Sequence, residues 1–386
     1  MRYLSATSIF SGKEYLPSDS VLVLSKNNTI IDITTNTHID TGNIEFYDGI
    51  LCPGFVNTHC HLELSHLKTK IKQGTGIVDF GLEVTKQRNV IPEEEQVELM
   101  LEADKLMQNE GIVAVGDISN TALSISTKCK SILFYHTFIE LIALNPARAN
   151  SVFNSGQELL QEYKKHNLSA SLAPHAPYSV SYDLIKLITD FCSELNIPTS
   201  IHNQESIAEN NFFLTKTGDY LRLYQTLNLP LDFFNATNKS SLLSIISSIN
   251  KNTPTLLVHN TFSSLEDINI AQNTLNHLYW CICANANLYI EKSLPDLTKF
   301  TEQNCKLTIG TDSLASNHSL SVINEINTIL THQANTSLEL VLKAATFNGA
   351  EFLGIENSYG SFEIGKRPGI NLITQKNKTY GVKKLG

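Results

Sequence analysis

Pro53-Gly54-Phe55-Val56-Asn57-Thr58-His59-Cys60-His61 carries the densest chemistry in the chain. On a β-strand, residues two apart project to the same side, so His59 and His61 point together and their rings can converge on one metal ion. A histidine pair at this spacing also arises by chance, and its position decides its meaning. The pair ends a short apolar run, and four further candidates end comparable runs. His175 follows Leu172-Ala173-Pro174, His202 follows Ile197-Pro198-Thr199-Ser200-Ile201, His259 follows Thr255-Leu256-Leu257-Val258, and Asp312 follows Leu307-Thr308-Ile309-Gly310-Thr311. Five imidazoles and a carboxylate at the same relative place on successive strands are hard to explain as core packing. They describe one rim able to bind a cation and move protons. The histidines at 38, 66, 166, 277, 318 and 332 fall in loops, on helices or at strand starts, and read as structural or solvated. His136 sits inside a strand, facing either way.

The elements that must carry this rim follow from the apolar rhythm. Short runs at 51–58, 111–117, 131–139, 168–174, 197–202, 254–259, 277–283 and 305–310 read as strands. Amphipathic segments at 94–110, 152–165, 181–195, 263–275 and 320–333 read as helices between them. Such alternation gives an α/β chain, either a doubly wound sheet or a closed (β/α)8 TIM barrel, and eight strand candidates favour the barrel. In that fold catalytic residues gather at the C-terminal ends of the strands, where the candidates lie. Residues 1–50 read as short strands and turns, with a hairpin-like pattern at 21–24 and 30–33 around Asn27-Asn28. After a helical stretch at 338–352, the segment 360–368 returns to that character. The expected organisation is a β-sandwich module from 1–50 plus 355–386, and a barrel over 51–354. Segment 204–253 is long for one connection and is expected to hold an active-site insertion.

Charge and composition exclude other classes. The chain has 29 Lys and Arg against 38 Asp and Glu, a formal net charge of -9. Nucleic-acid surfaces and anionic membranes need a basic footprint, so neither is expected as a partner. No apolar run approaches the ~20 residues of a transmembrane helix. Residues 1–7 lack the charged and then apolar pattern of a secretory leader. Seven scattered cysteines, with Cys281 and Cys283 too close for a CxxC pair, read as reduced thiols. These features fit a cytoplasmic protein.

Several segments, in order, resemble the amidohydrolase superfamily, in particular its nucleobase and nucleoside deaminase branch with the triazine chlorohydrolase relatives. They are Pro53–His61, Pro174-His175-Ala176-Pro177-Tyr178, His202-Asn203-Gln204-Glu205, Val258-His259-Asn260, Cys283-Ala284-Asn285-Ala286-Asn287, Gly310-Thr311-Asp312-Ser313 with Ser316-Asn317, and the helix at Asn348-Gly349-Ala350. The branch's Cys-Pro-x-Ser-Asn segment here has Ala284 and Ala286 in place of proline and serine. Its Gly-Lys-x-Ala-Asp pattern here reads Gly365-Lys366-Arg367-Pro368-Gly369.

The resemblance implies that His59, His61, His202 and Asp312 hold one divalent metal ion, zinc ahead of iron, with a position left for water. His175 stands where a two-metal relative would have a carboxylated lysine. Glu205 would take the water's proton and pass it to a ring nitrogen, while His259 and Asp312 orient the water. His175 and Ser313 would meet the substrate. Glu63 continues the alternation from His61 toward the pocket, and Arg88 and Arg148 lie in segments that resemble substrate-contacting regions of adenosine-type deaminases. The His61-Leu62-Glu63-Leu64-Ser65 stretch and Arg88 look most like aminofutalosine deaminases, which are menaquinone-related. Their substrate is an adenine nucleoside with a carboxyphenyl ketone, and an arginine fork suits that carboxylate. The expected function is therefore metal-dependent hydrolytic deamination of an adenine-type nucleoside, with a small heteroaromatic substrate and water as partners. The alternatives are deamination of methylthioadenosine, S-adenosylhomocysteine or another nucleobase, triazine-type dechlorination, and a non-catalytic binding relative. Relatives of this kind often form homo-oligomers.

Overall fold

The strands are β1 (Arg2–Ile9), β2 (Ser20–Leu24), β3 (Ile30–Thr35), β4 (Ile44–Pro53), β5 (Phe55–Cys60), β6 (Ile112–Ser119) and β7 (Phe134–Leu141). They continue as β8 (Ser169–Pro174), β9 (Thr199–Asn203), β10 (Thr255–His259), β11 (Leu278–Ile282), β12 (Lys306–Ile309), β13 (Ile370–Lys376) and β14 (Thr379–Lys384). The structure is a computed structural model that describes residues 1–386, apart from the side chain of Thr41.

Strands β5 to β12 pair in parallel as two four-stranded sheets, β5-β6-β7-β8 and β9-β10-β11-β12. At one seam Cys60 bridges to Asp312, and the N–H groups of Thr311 and Asp312 both donate to the His59 carbonyl at 3.0 Å. At the other, the His202 N–H donates to the His175 carbonyl at 2.9 Å. The strands follow the order of the expected (β/α)8 barrel, as two half-sheets that touch at both seams. Strands β5, β9, β10 and β11 are buried along their whole length, as parallel strands must be when helices cover one face and the barrel interior the other.

The amphipathic segments form the covering helices Glu93–Asn109, Ala149–Lys165, Tyr182–Glu194, Leu265–Thr274 and Val322–His332. Ser181 caps one through the Leu184 N–H, and Ser264 and Asp267 form a capping box on another. The stretch 338–352 is two helices, Leu338–Ala344 and Phe347–Phe352, broken at Thr346. Buried side chains such as Trp280, Phe300, Leu160, Ile188 and Met107 fill the space between strands and helices. Each large apolar side chain of this kind contributes roughly 1.5–3 kcal/mol on burial.

Both ends of the chain share one six-stranded mixed sheet, ordered β14-β13-β4-β1-β2-β3, which contains the expected hairpin as β2 and β3. The apolar run 51–58, read as one strand, is two. Leu51 and Cys52 pair with Leu372 and Asn371 in the terminal sheet, and the barrel strand begins at Phe55. Gly54 joins them because a Cβ there would lie 2.3 Å from Val113 Cγ1 and 2.8 Å from the Pro368 carbonyl oxygen.

Segment 204–253 folds as the helices Ile207–Thr215, Asp219–Thr226 and Ser241–Ile245. Phe212, Phe213, Tyr220, Tyr224 and Phe234 hold it against Tyr178 and Val78, with the Phe212 and Phe234 rings stacked at 4.3 Å. Among the described residues no helix is long and apolar enough to cross a membrane. All seven cysteines are free, six of them buried and Cys129 exposed.

Candidate active site

The C-terminal ends of the barrel strands bring the rim together. Nε2 of His61 lies 3.2 Å from Nε2 of His59 and 3.3 Å from Nε2 of His202. Oδ1 of Asp312 is 3.4 Å from the first of these atoms and 3.6 Å from the second. Donors placed tetrahedrally at ~2.0–2.1 Å from a zinc-sized ion stand ~3.3–3.4 Å apart, and these four contacts of 3.2–3.6 Å have that spacing; His59, His61 and His202 together offer donor atoms within 4.8 Å of one another. Two further groups have ligand atoms within 4.8 Å of one another: His59, His259 and Asp312, and Glu140, His175 and His202.

Local bonds orient two of the donors, His202 and Asp312. Nδ1 of His202 donates to the His175 carbonyl at 2.7 Å, which turns Nε2 to the rim. Ser316 Oγ donates to Oδ2 of Asp312 at 2.5 Å and leaves Oδ1 inward. His259 and Asp312 have φ of 73° and 56°, a left-handed conformation that swings their side chains over the barrel mouth. Such non-glycine positions cost of order 1–3 kcal/mol and cluster at functional sites. Gly310 lets β12 pass beneath the rim, since a Cβ would meet His59 Cβ at 2.7 Å and Cys281 Sγ at 2.8 Å.

Electrostatics separates the acids. Burial pushes Glu205 well above the usual carboxylate range, and the charges of Asp312 and Glu209 add to the effect. Burial acts the same way on Asp312, but the hydrogen bond with His59 and the facing imidazoles hold it well below that range. Burial and neighbouring imidazoles hold His202 well below the usual histidine value, and burial lowers His259 to about 4. Burial thus favours the neutral form of Glu205, His202 and His259, while its imidazole neighbours favour the ionised form of Asp312. Oε1 of Glu205 lies 3.7 Å from Nε2 of His259. Glu209 accepts the N–H groups of Gln204 at 3.1 Å and Glu205 at 3.2 Å, which fixes the turn that presents Glu205.

A cavity of about 410 Å³ opens above this floor. His61, His175, His202, Glu205, His259, Asp312 and Ser313 all line it. Ile77, Phe80 and Val84 of the helix Ile77–Gln87 form one part of its apolar wall, and Leu223, Tyr224 and Phe233 of the insertion form another. Arg88 and Arg148 also face it; Nη2 of Arg88 donates to Asn120 Oδ1 at 3.3 Å.

Glu63 does not line the cavity. Its carboxylate accepts the Asn120 N–H at 3.1 Å and the Thr121 hydroxyl at 2.8 Å. The chain enters a 3-10 helix, Leu62–Leu67, directly after His61, so the strand alternation that would have turned Glu63 inward has ended. His136 is satisfied within the barrel by Ser169 and Ser171 at 2.8 and 2.9 Å. His318 lies outside the cavity, beside Gln73 at 2.8 Å.

Spacing does not single out Glu140, although it ends its barrel segment as the histidines end theirs. It lines the cavity, with Oε1 3.6 Å from Nδ1 of His202 and Oε2 held by Asn120 at 2.9 Å. Nor does it reveal the buried pair Lys128–Asp117 at 2.6 Å, whose carboxylate also accepts the Leu62 N–H at 2.8 Å and so braces the turn after His61.

Imidazoles converging with a carboxylate at the strand ends of a parallel α/β barrel mark the metal-dependent hydrolases built on this architecture. Residues 50–385 match the Amidohydrolase family, and the chain belongs to that family of hydrolases acting on carbon–nitrogen bonds. It is 28% identical over 332 residues to the adenosine deaminase of Helicobacter pylori, covering 85% of this chain and 80% of that one. It is 28% identical over 333 residues to the aminodeoxyfutalosine deaminase of Nitratiruptor sp., covering 84% and 79%. The solved structure of Helicobacter pylori aminofutalosine deaminase in complex with methylthio-coformycin shares its fold, with a TM-score of 0.81 and 23% identity over 98% of this chain and 93% of that one.

Proposed function

We propose that the protein hydrolytically deaminates an adenine-type nucleoside, aminofutalosine first among the candidates. The observation that carries this reading is a buried carboxyl, Glu205, 3.7 Å from His259 Nε2 and set beside convergent imidazole and carboxylate donors at the floor of a largely apolar cavity. The two relatives at 28% identity, an adenosine and an aminodeoxyfutalosine deaminase, support it.

His59, His61, His202 and Asp312 would hold one divalent metal ion, and three nitrogens with one oxygen suit zinc ahead of iron. When bound, the metal supplies the Lewis acidity that makes water nucleophilic near neutral pH. Glu205 exchanges the protons. It protonates the ring nitrogen beside the amine-bearing carbon as the new carbon–oxygen bond forms, and it receives the proton that the attacking water gives up. His259 and Asp312 orient that water. The tetrahedral carbon then collapses, the carbon–nitrogen bond breaks, and the amine takes a proton and leaves as ammonia.

His175, whose Nδ1 is engaged by Ser179 Oγ at 2.6 Å, presents its other nitrogen to the substrate, and Ser313 adds a hydroxyl. The apolar wall accommodates an aryl or alkyl group at the far end of the nucleoside. Arg88 and Arg148 supply the fork for an anionic tail.

The test is ammonia release by metal-loaded protein from aminofutalosine, methylthioadenosine, S-adenosylhomocysteine, adenosine and guanine. The highest kcat/KM is expected with aminofutalosine. Silence with every adenine nucleoside would sink the proposal.

A further inference from the structure

Asn287, on the helix Ala284–Glu291 that follows β11, meets His259 with both atoms of its amide. Oδ1 lies 2.8 Å from Nδ1 of His259, and Nδ2 donates to the His259 carbonyl at 3.5 Å. The second contact favours this orientation of the amide, because exchanging its atoms would set an amide oxygen opposite a carbonyl oxygen instead of a donor. An amide oxygen only accepts, so the Nδ1 it faces carries the proton. A neutral imidazole has a single ring proton, which leaves the lone pair on Nε2. Nε2 is the atom turned to the reaction centre, 3.7 Å from Oε1 of Glu205. Both residues are shut off from solvent, at 0% and 1% exposure, so no water replaces the amide. The same amide also holds the backbone of a residue that sits at φ 73°.

We propose that Asn287 is a positioning residue that holds His259 as the Nδ1–H tautomer, so that Nε2 accepts from the attacking water. This inference rests on His259 acting in the proposed deamination. It divides the work at the floor: Glu205 delivers protons to the substrate ring, and His259 receives a hydrogen bond from the nucleophile. Without the amide, His259 could present an N–H to the water instead, directed at the lone pair needed for attack.

The tautomer is read directly by nitrogen-15 NMR of histidine-labelled, zinc-loaded protein, with His259→Asn used for assignment. The expected result is a protonated Nδ1 and a bare Nε2 in the native chain. Asn287→Leu, which keeps the size and removes the acceptor, should lose that preference and lower kcat about 10- to 100-fold at unchanged KM and metal content, the usual scale for a residue orienting an active imidazole. Asn287→Asp restores an acceptor and should recover both the tautomer and most of kcat. A native His259 protonated on Nε2, or an Asn287→Leu protein with native tautomer and turnover, overturns the proposal. The native spectrum needs no variant to fold, and it reports the tautomer even if no nucleoside is turned over, so failure of this inference and failure of the proposed activity are separately visible.

Discussion

The floor and the wall of the cavity are built by opposite means. The groups assigned to metal binding and proton transfer sit at, or within three residues of, the end of a barrel strand, and neighbouring strands and turns hold them through bonds such as Asp312 N–H to His59 and His202 Nδ1 to His175. The wall comes from the helix Ile77–Gln87 and the insertion 204–253. Aromatic packing around Phe212 and Phe234 holds the insertion, and both wall helices are entered through left-handed glycines, Gly76 and Gly218. Across the mouth the two are tied by Arg222 and Asp79 at 2.6 Å, an exposed pair worth about 1 kcal/mol at most. The proposed chemistry is thus anchored in the sheet, and the proposed selectivity in a segment packed separately from it.

The largest effects should arise at the floor. Removing metal with a chelator should abolish turnover, and zinc should restore it; a metal-free protein with full activity would break the assignment of the four donors. Glu205→Gln should keep the metal and lower kcat by about 10²- to 10⁴-fold with little change in KM, measured by steady-state ammonia release. Such a kcat-only loss sets floor against wall, because wall variants should act mainly on KM.

That division also explains what could be read from the chain alone. His59, His61, His202, His259 and Asp312 are legible because an apolar run followed by a polar ligand marks a strand end, and a parallel barrel sends all its strand ends to one side. Glu140 stands at the same place, but a lone carboxylate in an apolar run has no spacing partner to draw attention to it. Glu63 misleads because alternation cannot announce the 3-10 turn that begins at Leu62. The junction at Gly54 is hidden because Leu51–Pro53 and Phe55–Thr58 are equally apolar on either side of it. The wall is the least legible part: Phe212, Tyr220 and Phe233 are plainly apolar, yet which of them face the cavity depends on how three short helices pack. The left-handed turns at His259 and Asp312 occur without glycine, so no residue type signals them.

At the wall, Arg148→Ala and Arg88→Ala should each raise KM for a carboxylate-bearing nucleoside about 10- to 100-fold, the loss of a charge-assisted hydrogen bond of roughly 1.5–3 kcal/mol. Adenosine, which has no anionic tail, should change less than about twofold. An equal effect on both substrates would mean that the arginines shape the floor rather than read the far end. Phe233→Ala should lower kcat/KM for apolar-tailed nucleosides only about 3- to 10-fold, since this ring is 36% exposed and gives up part of its burial.

The smallest effect on activity should come from His136, which has the burial of the rim histidines but lies below them, between Ser169 and Ser171. Burial lowers its pKa from 6.5 to about 3, with the charge of Lys128 adding to the effect. As pH falls below 6.5, the unfolded chain takes up a proton at this position that the folded chain refuses until about pH 3. Stability is therefore full above pH 6.5 and falls toward pH 3 by up to about 1.4 kcal/mol per pH unit from this one group. His136→Gln retains a hydrogen-bonding side chain for the two serines and does not titrate. In urea unfolding of metal-loaded protein between pH 7 and 4.5, it should flatten the stability slope by up to one proton, with kcat/KM at pH 7.5 within about twofold of native. An unchanged slope would show that His136 takes up its proton as readily in the folded chain as in the unfolded one. A large loss of activity would carry the functional floor one layer deeper into the barrel than the rim.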